Sequence, residues 1–333
     1  MMAMIGYDSK LHNLTSDDFM VAGAVAGTLT RLFCQPLDVV KIRFQLQVEN
    51  LSRHDPTAKY HGMVHCTQTI VKEEGVRAMW KGHVSAQLLS VIYGAVAFSS
   101  FEYLTKQVFN KKPSMQDLGP VNFVCGGASN GFATLVSYPF DTIRTRFIGQ
   151  GKPPVYSGIF NCISTIVKVE GFGSLYRGLV PTVVQIFPHG GAQFALYNGI
   201  SKFLKQSGFF VLDSTYTVKD RKKYLTPLGS FIAGGVAGAG AKIVIYPLDL
   251  AKKRLQIQGE FNNQRQGFGK KFVCSGLMNC LAETYRNERF SGLFKGVYPT
   301  LLKATLATSC HFAFYEQTIF YLAKKKNTKV VSS

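Results

Sequence analysis

The sequence is short of charge, and of negative charge above all. Only 17% of its 333 residues are Asp, Glu, Lys or Arg, against about 25% in an average soluble protein. The 19 acidic residues face 38 basic ones, which leaves a formal net charge of +19. Residues 84–101, 118–140 and 179–201 contain no charged side chain at all. Because about 20 predominantly apolar residues cross a bilayer, the sequence predicts a polytopic membrane protein.

Paired cysteines and a leader peptide are also missing. The 7 cysteines are odd in number and form no C-x-x-C pair, so neither a zinc site nor a disulfide framework is predicted. Residues 1–18 contain three Asp and no Arg, unlike a secretory signal or an Arg-rich transit peptide, so any organelle address is expected within the mature chain. An apolar content of 46% excludes disorder. The predicted spans leave too little chain for a nucleic-acid-binding domain.

The sequence does contain one unit repeated three times. The string Pro-x-Asp-x-x-Lys/Arg-x-Arg begins at Pro36, Pro139 and Pro247, at spacings of 103 and 108 residues. Such a string should arise by chance on the order of 10⁻² times in a chain of this length. Each copy is followed by a glycine, by a glutamate 12 residues later and by an aromatic-basic-glycine triplet. These are Gly62, Glu74 and Trp80-Lys81-Gly82; Gly158, Glu170 and Tyr176-Arg177-Gly178; and Gly276, Glu288 and Phe294-Lys295-Gly296.

Each copy predicts a long helix, a short amphipathic helix and a second long helix. The predicted fold is an all-α membrane protein with six transmembrane helices in three pseudo-symmetric repeats around a central cavity. The repeats are placed at 17–112, 118–210 and 225–325. The long helices are predicted near 17–44, 84–108, 119–147, 179–204, 226–256 and 298–322, and the short ones near 62–73, 158–169 and 276–287.

These motifs resemble the threefold signature of the mitochondrial carrier family, and the resemblance covers residues 17–323. It implies a monomeric, multi-pass protein of the mitochondrial inner membrane, with the short helices on the matrix side. Two positions depart from the pattern: Arg289 stands where the other repeats have glycine, and Ser85 where they have proline. Within the family, four stretches are most similar to the members that carry thiamine pyrophosphate: Lys59–Gly62, Trp80–Val84, Ile92–Val96 and Leu302–Ala304.

Each repeated proline is expected to kink its helix, because it removes one backbone hydrogen bond. Three kinked helices can converge and close one mouth of the bundle. Charges at membrane depth normally pair and face an interior. The resemblance implies a matrix gate of three pairs between repeats, Asp38–Arg144, Asp141–Lys252 and Asp249–Lys41, braced by Gln45 and Gln256. A purely structural role, in which the pairs only hold the bundle together, stays open as an alternative.

The opposite mouth has no comparable set of charges. The family pattern there is an aromatic residue, an acid and, three residues after the acid, a base. This sequence keeps Phe101-Glu102, Tyr197 and Tyr315-Glu316 but has Thr105, Ser201 and Ile319 at the three basic positions. The cytoplasmic gate is therefore expected to close by packing of the aromatic side chains.

Three basic residues at mid-span have no matching acid in the repeat pattern. Arg31 and Lys242 each lie five residues before a repeated proline, and Lys303 lies seven residues after the glycine of the third triplet. Such cations indicate a phosphate-bearing anionic substrate; snorkelling to lipid headgroups is the alternative. The contact points of the family map onto Leu89, Ser90, Gln185, Ile186 and Lys303, and Tyr93 with Gln185 is expected to hold a ring system.

The glycines have two predicted uses. The G-x-x-x-G pairs Gly23/Gly27, Gly127/Gly131 and Gly234/Gly238 predict close helix approach. The glycines that begin helices, with the basic residues beside them, predict cardiolipin binding; a plain role in starting helices is equally well supported. This predicted lipid set is Gly62, Lys81, Gly82, Gly158, Arg177, Gly178, Gly276, Lys295 and Gly296.

No motif of an enzyme, cofactor site or metal site is present in the sequence. The segment Gly149-x-Gly151-Lys152 is not a phosphate-binding loop, because Pro153 stands where Ser or Thr is required. The resemblance implies exchange of thiamine pyrophosphate against nucleotides by alternating access. The alternative is a carrier for another large phosphorylated anion, an adenine nucleotide or coenzyme A. A channel-like protein is poorly supported, since two gates around a midplane site describe a carrier.

Overall fold

The computed structural model describes residues 15–49, 51, 58–111, 119–208, 211–212, 224–264 and 271–331. These residues are mostly helical. The helices are α1 Ser16–Leu46, α2 Met63–Glu74, α3 His83–Lys111, α4 Gly119–Gly149, α5 Ile159–Glu170, α6 Leu179–Gln206, α7 Pro227–Val244, α8 Tyr246–Gln256, α9 Glu260–Gln264, α10 Leu277–Gly292 and α11 Val297–Val331. The described residues also include two 3-10 segments, Val76–Trp80 and Phe172–Tyr176. A short antiparallel strand pair is formed by β1 Val211–Leu212 and β2 Tyr224–Leu225. The predicted repeat ends at 112, 118 and 210 lie outside the described residues.

The three repeats use their helices in the same way. A proline-containing helix (α1, α4 and the pair α7–α8) is followed by a short helix (α2, α5, α10) and a second long helix (α3, α6, α11). Neighbouring repeats pack through α3 against α4, α6 against α7 and α11 against α1. On the side of the prolines, α1, α4 and α8 also contact one another. The three proline-containing helices therefore converge at one end of the bundle.

The prolines affect their helices unequally. Helices α1 and α4 continue through Pro36 and Pro139. In the third repeat the helix is interrupted at Ile245, and the two resulting helices, α7 and α8, are bent by 53° relative to each other. The single helix predicted over 226–256 is therefore two helices, because Pro247 lacks the N–H that would continue the backbone ladder.

The short helices have equivalent ends. Each begins after a glycine in extended conformation, and the first two end at glycines of positive φ, Gly75 at 89° and Gly171 at 82°. Arg289, which stands in the place of the third such glycine, adopts the same unusual backbone with φ 59° and ψ −163°. The repeat geometry is thus preserved despite the substitution, at the cost of backbone strain. Ser85 changes nothing comparable, since α3 begins one residue after its glycine, as α6 and α11 do.

Apolar side chains cover the outside of the bundle. By length and hydropathy, Val76–Asn110 qualifies as a membrane span, and the bent pair Leu228–Val244 with Tyr246–Gln256 qualifies if counted as one. The other long helices, as far as the structure describes them, do not meet these criteria. Six spans therefore stay a prediction. Each long helix nevertheless exposes a phenylalanine: Phe33, Phe98, Phe132, Phe194, Phe231 and Phe312.

The predicted close approach at the G-x-x-x-G pairs is wrong for this conformation. A Cβ added at Gly23, Gly27, Gly127, Gly131, Gly234 or Gly238 would meet no atom within 4 Å. These glycines lie in the N-terminal halves of their helices, away from the end where the helices converge. Helices α6 and α7 instead come closest at Gly240, where a Cβ would lie 2.8 Å from Leu196 Cδ1.

Candidate functional site

Three ion pairs join the repeats where the proline-containing helices converge. Each pair links two different repeats, so together they connect all three. All six side chains are at most 15% exposed. The contacts are Arg144 Nη2 to Asp38 Oδ2 at 2.5 Å, Lys252 Nζ to Asp141 Oδ2 at 2.8 Å and Lys41 Nζ to Asp249 Oδ2 at 2.8 Å. The structure thus brings together the pairs that the family resemblance implies, and we call them the ion-pair ring.

Each aspartate of the ring also holds a second cation. Lys303 Nζ lies 2.7 Å from Asp38 Oδ1, and Lys242 Nζ lies 3.6 Å from Asp249 Oδ2. The expectation that these two lysines lack a matching acid is therefore wrong. Lys242 precedes Asp249 by two helical turns on the bent pair, and Lys303 reaches Asp38 because α11 packs against α1. Both lysines remain about one-third exposed, at 27% and 32%.

The third predicted substrate cation is held by backbone. Arg31 Nη1 donates to the carbonyl oxygen of Ala86 at 2.6 Å, which ties α1 to α3. Because a backbone carbonyl carries no net charge, this contact does not neutralise the guanidinium of Arg31. The site around the ring accordingly combines three aspartates with a larger number of cations, which favours an anionic ligand.

The second cation of Asp141 is a residue that the sequence analysis missed. Lys253 Nζ donates to Asp141 Oδ1 at 3.0 Å, to Thr145 Oγ1 at 3.0 Å and to Gln256 Oε1 at 2.9 Å. Its side chain is only 8% exposed. The available signal was that Lys253 aligns with uncharged residues in the other repeats, Ile42 in the first and Thr145 in the second.

The two predicted glutamine braces behave differently. Gln256 Nε2 donates to Asp141 Oδ2 at 2.9 Å and so touches the ring itself. Gln45 Nε2 donates to the hydroxyl of Tyr246 at 3.1 Å, and its Oε1 has no hydrogen-bond partner. Gln45 therefore packs against the helix that carries Asp249 without contacting a ring charge.

A second set of buried charges fastens each proline-containing helix to the short helix of its own repeat. The last arginine of each proline motif is at most 2% exposed. The pairs are Arg43 with Glu74 at 2.9 Å, Arg146 with Glu170 at 2.7 Å, and Arg254 with Glu288. The sequence analysis found both motifs but did not connect them. The available signal was that every repeat has one such Arg and one such Glu, because a buried charge needs a partner; their separations along the chain differ, at 31, 24 and 34 residues.

The basic residues of the triplets reach the same glutamates. The contacts are Lys81 with Glu74, Arg177 with Glu170 and Lys295 with Glu288. Burial alone would raise the pKa of Glu74, but Arg43 and Lys81 hold that pKa below its usual value. The same opposition lowers the pKa of Glu170. The charged ends of Lys81, Arg177 and Lys295 are thus engaged by protein carboxylates, and lipid binding by these three residues stays a prediction.

The third repeat satisfies its buried arginine in a different way. In the first two repeats the guanidinium donates to a tyrosine hydroxyl, and Cys274 stands at the corresponding place in the third. Thr284 supplies the missing hydroxyl from a position where the other repeats have isoleucine. The contacts are Arg43 to Tyr60 at 3.1 Å, Arg146 to Tyr156 at 3.1 Å and Arg254 to Thr284 at 2.9 Å.

The glycines of the triplets allow close contact with the ring. All three have positive φ, between 75° and 86°. A Cβ would lie 3.1 Å from Arg144 O at Gly82, 2.9 Å from Lys252 O at Gly178 and 3.1 Å from Lys41 O at Gly296. Each carbonyl belongs to a cation of the ring in the next repeat. A side chain at these positions would push the ring helices apart, which favours the packing role of these glycines.

One groove lies where the predicted lipid residues meet. Gly62 before α2 and Gly296 before α11 line a space of about 340 Å³, with Met63 and Tyr298 beside them. The first N–H groups of a helix have no partner within the helix and carry partial positive charge. Gly158 and Gly276 begin α5 and α10 in the same way.

The remaining predicted contact residues lie on α3 and α6, the second long helices of the first two repeats. Leu89 and Ser90 are half-buried on α3, and Tyr93 on the same helix donates to Asn130 Oδ1 at 3.1 Å. On α6, the buried Oε1 of Gln185 has no hydrogen-bond partner, and Ile186 is exposed. An amide oxygen without a donor is a position where a ligand N–H can bind.

The predicted cytoplasmic gate is not assembled. The rings of Phe101, Tyr197 and Tyr315 make no contact with one another among the described residues, and Phe101 and Tyr197 are each 37% exposed. Tyr315 stacks on His311 of its own helix. Glu102 pairs with Lys106 one turn along α3, and Glu316 lies on α11. Among the residues that the structure describes, ion pairs between repeats therefore join the bundle at one end only.

The chain matches the family model described as mitochondrial carrier protein over residues 16–112, 118–208 and 223–326. It belongs to the mitochondrial carrier family, whose members are transporters and not enzymes. Among curated relatives, it is 44% identical to the mitochondrial thiamine pyrophosphate carrier of Bos taurus, over 94% of this chain and 96% of the relative. The protein of that name from Homo sapiens is 43% identical over 94% of this chain and 95% of the relative. The mitochondrial thiamine diphosphate carrier 2 of Zea mays is 33% identical over 92% and 94%.

Proposed function

We propose that this chain exchanges thiamine pyrophosphate, against nucleotides, by alternating access. It is a multi-pass protein of the mitochondrial inner membrane. The observation that carries the proposal is the similarity of 43–44% over 94% of the chain to carriers of that substrate. The ring and the three site cations lie inside the matched region.

The proposed topology has six transmembrane helices and three short helices along the matrix face. The exposed phenylalanine on each long helix supports contact with lipid, since soluble surfaces rarely carry so large an apolar area. Each short helix has fully buried residues four apart and exposed residues on its opposite side, as expected of a helix lying flat on the bundle. The buried residues are Cys66 and Ile70, Cys162 and Ile166, and Cys280 and Thr284. We expect the carrier to act as a monomer.

The ion-pair ring is the proposed matrix gate. It joins the three repeats at one end, while the aromatic residues at the other end stay apart, which suits a state open to the cytoplasm. Buried ion pairs contribute little net stability, because desolvation offsets most of their attraction. A gate that opens in every cycle needs such a balance.

The diphosphate is proposed to bind Arg31, Lys242 and Lys303. Phosphate carries more negative charge than a carboxylate and accepts charge-assisted hydrogen bonds from both lysines. It therefore competes with Asp38 and Asp249 for these lysines. The heterocycles are proposed to lie between α3 and α6, beside Leu89, Ser90, Tyr93, Gln185 and Ile186, with the free Oε1 of Gln185 accepting from a ring amino group.

The lipid proposed for the groove between Gly62 and Gly296 is cardiolipin. The supporting feature is a helix N-terminus that faces an open space on the proposed matrix side, where anionic headgroups bind. By pseudo-symmetry the glycines before α5 and α10 take part in equivalent sites.

Transport into liposomes tests the substrate. The purified protein is reconstituted, the liposomes are loaded with nucleotide, and labelled thiamine pyrophosphate, adenine nucleotide and coenzyme A are compared, with unphosphorylated thiamine as the control. We expect the first to exchange fastest and thiamine not to exchange. Faster exchange of adenine nucleotide or coenzyme A, unaffected by excess thiamine pyrophosphate, would favour the alternative carrier.

A further inference from the structure

The three contacts of the ion-pair ring are not equivalent. Between α1 and α4, Asp38 has one partner on the opposite repeat, Arg144, and between α8 and α1, Asp249 has one, Lys41. The second cation of Asp249 is Lys242, seven residues before it in the same repeat. The second cation of Asp38 is Lys303, on α11, which packs along α1. Either aspartate can therefore keep a cation when its contact with the opposite repeat separates.

Within the described part of the chain, Asp141 has no such reserve. Both of its cations, Lys252 and Lys253, come from α8 of the opposite repeat, at 2.8 Å and 3.0 Å. Gln256 of the same helix donates to Asp141 at 2.9 Å and accepts from Thr145 at 2.6 Å. Separation of α4 from α8 therefore removes both cations from Asp141 at once, which is the most costly way to open a buried pair.

The ammonium group of Lys253 is fully engaged in this contact. It has three acceptors for its three protons, and two of them, Asp141 and Thr145, belong to α4. Only the contact with Gln256, on its own helix, survives separation. The equivalent positions in the other repeats hold Ile42 and Thr145, which carry no charge.

We infer that Lys253 is a second gate cation, a positioning residue that makes the α4–α8 contact the last of the three to separate. The inference rests on the proposed role of the ring as the matrix gate. The contacts at Asp38 and Asp249 would separate first, because each of these aspartates has a second cation outside the pair that separates. The opening of the gate would end with the release of Asp141.

The test uses a cysteine reporter in the cavity. Thr134 holds the place of Arg31 and Lys242 in the second repeat, and Thr134→Cys places a thiol there. Cys310, the cysteine that is not buried, is replaced by serine. A membrane-impermeant maleimide is applied from the matrix face of oriented proteoliposomes without substrate. Lys253→Thr introduces the residue found at the equivalent place in the second repeat; Lys253→Arg and Ile42→Thr are the matched controls.

We expect Lys253→Thr to raise the matrix-side labelling rate roughly tenfold, the effect of one charge-assisted hydrogen bond. Lys253→Arg and Ile42→Thr should stay close to the parent. If the parent labels slowly from the matrix face and Lys253→Thr labels at the same rate, the inference is overturned and the proposed function stays intact. A parent that labels equally fast from both faces would instead overturn the ring as a gate.

Loss of fold is separated from gate opening by the buried thiols of Cys66 and Cys162. Burial raises the pKa of both to about 12, so they should not react while the short helices are packed. If Lys253→Thr exposes them, Lys253→Gln takes its place, because it keeps the length of the side chain and removes only the charge. The same increase is expected, and its absence overturns the inference.

Discussion

Lys303→Ala is the substitution that separates the two roles proposed for the cavity lysines. In the closed ring, Lys303 binds Asp38, and during transport it is proposed to bind the diphosphate. Its removal takes one hydrogen-bond donor and one charge from the site. Asp38 keeps Arg144 as its partner, so the ring should stay closed and the protein should fold.

The size of the effect follows from the two contacts. A hydrogen bond to a charged group contributes about 1.5–3 kcal/mol, which corresponds to roughly 10- to 100-fold in affinity. Wild-type Lys303 must first leave Asp38, and this loss offsets part of the gain. We therefore expect the apparent KM for thiamine pyrophosphate to rise by roughly tenfold, at the low end of that range.

Initial exchange rates over a range of external substrate concentrations measure this directly. Lys202→Ala, which removes an exposed lysine from α6, is the matched control for charge and expression. Lys303→Arg keeps the charge in a different geometry and should recover part of the affinity. An unchanged KM in Lys303→Ala would refute the assignment of this lysine to the substrate site.

Further predictions concern stability, measured as thermal unfolding of the purified carrier. Arg289→Gly removes a strained backbone position costing about 1–3 kcal/mol, against about 0.5–1 kcal/mol for the flexibility of glycine, so the Tm should rise. Gly75→Arg, the reverse change in the first repeat, should lower it. Thr284→Ile leaves buried Arg254 with a free donor and should cost about 1–3 kcal/mol; adding Cys274→Tyr, which recreates the other repeats, should recover part of that loss. Because the folded pKa of Glu74 is lowered, its stabilisation is complete above the unfolded value of about 4.3 and is lost as pH falls further. Glu74→Gln should flatten this acid-side slope, and an unchanged slope would refute the linkage.

The sequence predicted the regular part of this structure well. Helix positions and the equivalence of the three repeats depend on spacing, and spacing is visible in one chain. Asp38 and Lys41 share a face because residues three apart lie on the same side of a helix. The resemblance to a family then supplied which repeat each aspartate meets.

The missing part depended on how helices pack against one another. Lys303 was expected to be free because its acid, Asp38, is far away in sequence and lies on the first helix of the chain. Lys253 was overlooked because neither neighbouring repeat has a charge at that place. Arg289 departs from the repeat pattern, and the sequence did not show that it would adopt the backbone conformation of the glycine it replaces.

We propose that the ion-pair ring of this carrier opens when a diphosphate enters the cavity. The most direct measurement is labelling of Thr134→Cys from the matrix face, with and without thiamine pyrophosphate supplied on the cytoplasmic side. We predict slow labelling without substrate, a large increase with thiamine pyrophosphate and no increase with unphosphorylated thiamine. Equal labelling under all three conditions would contradict the account.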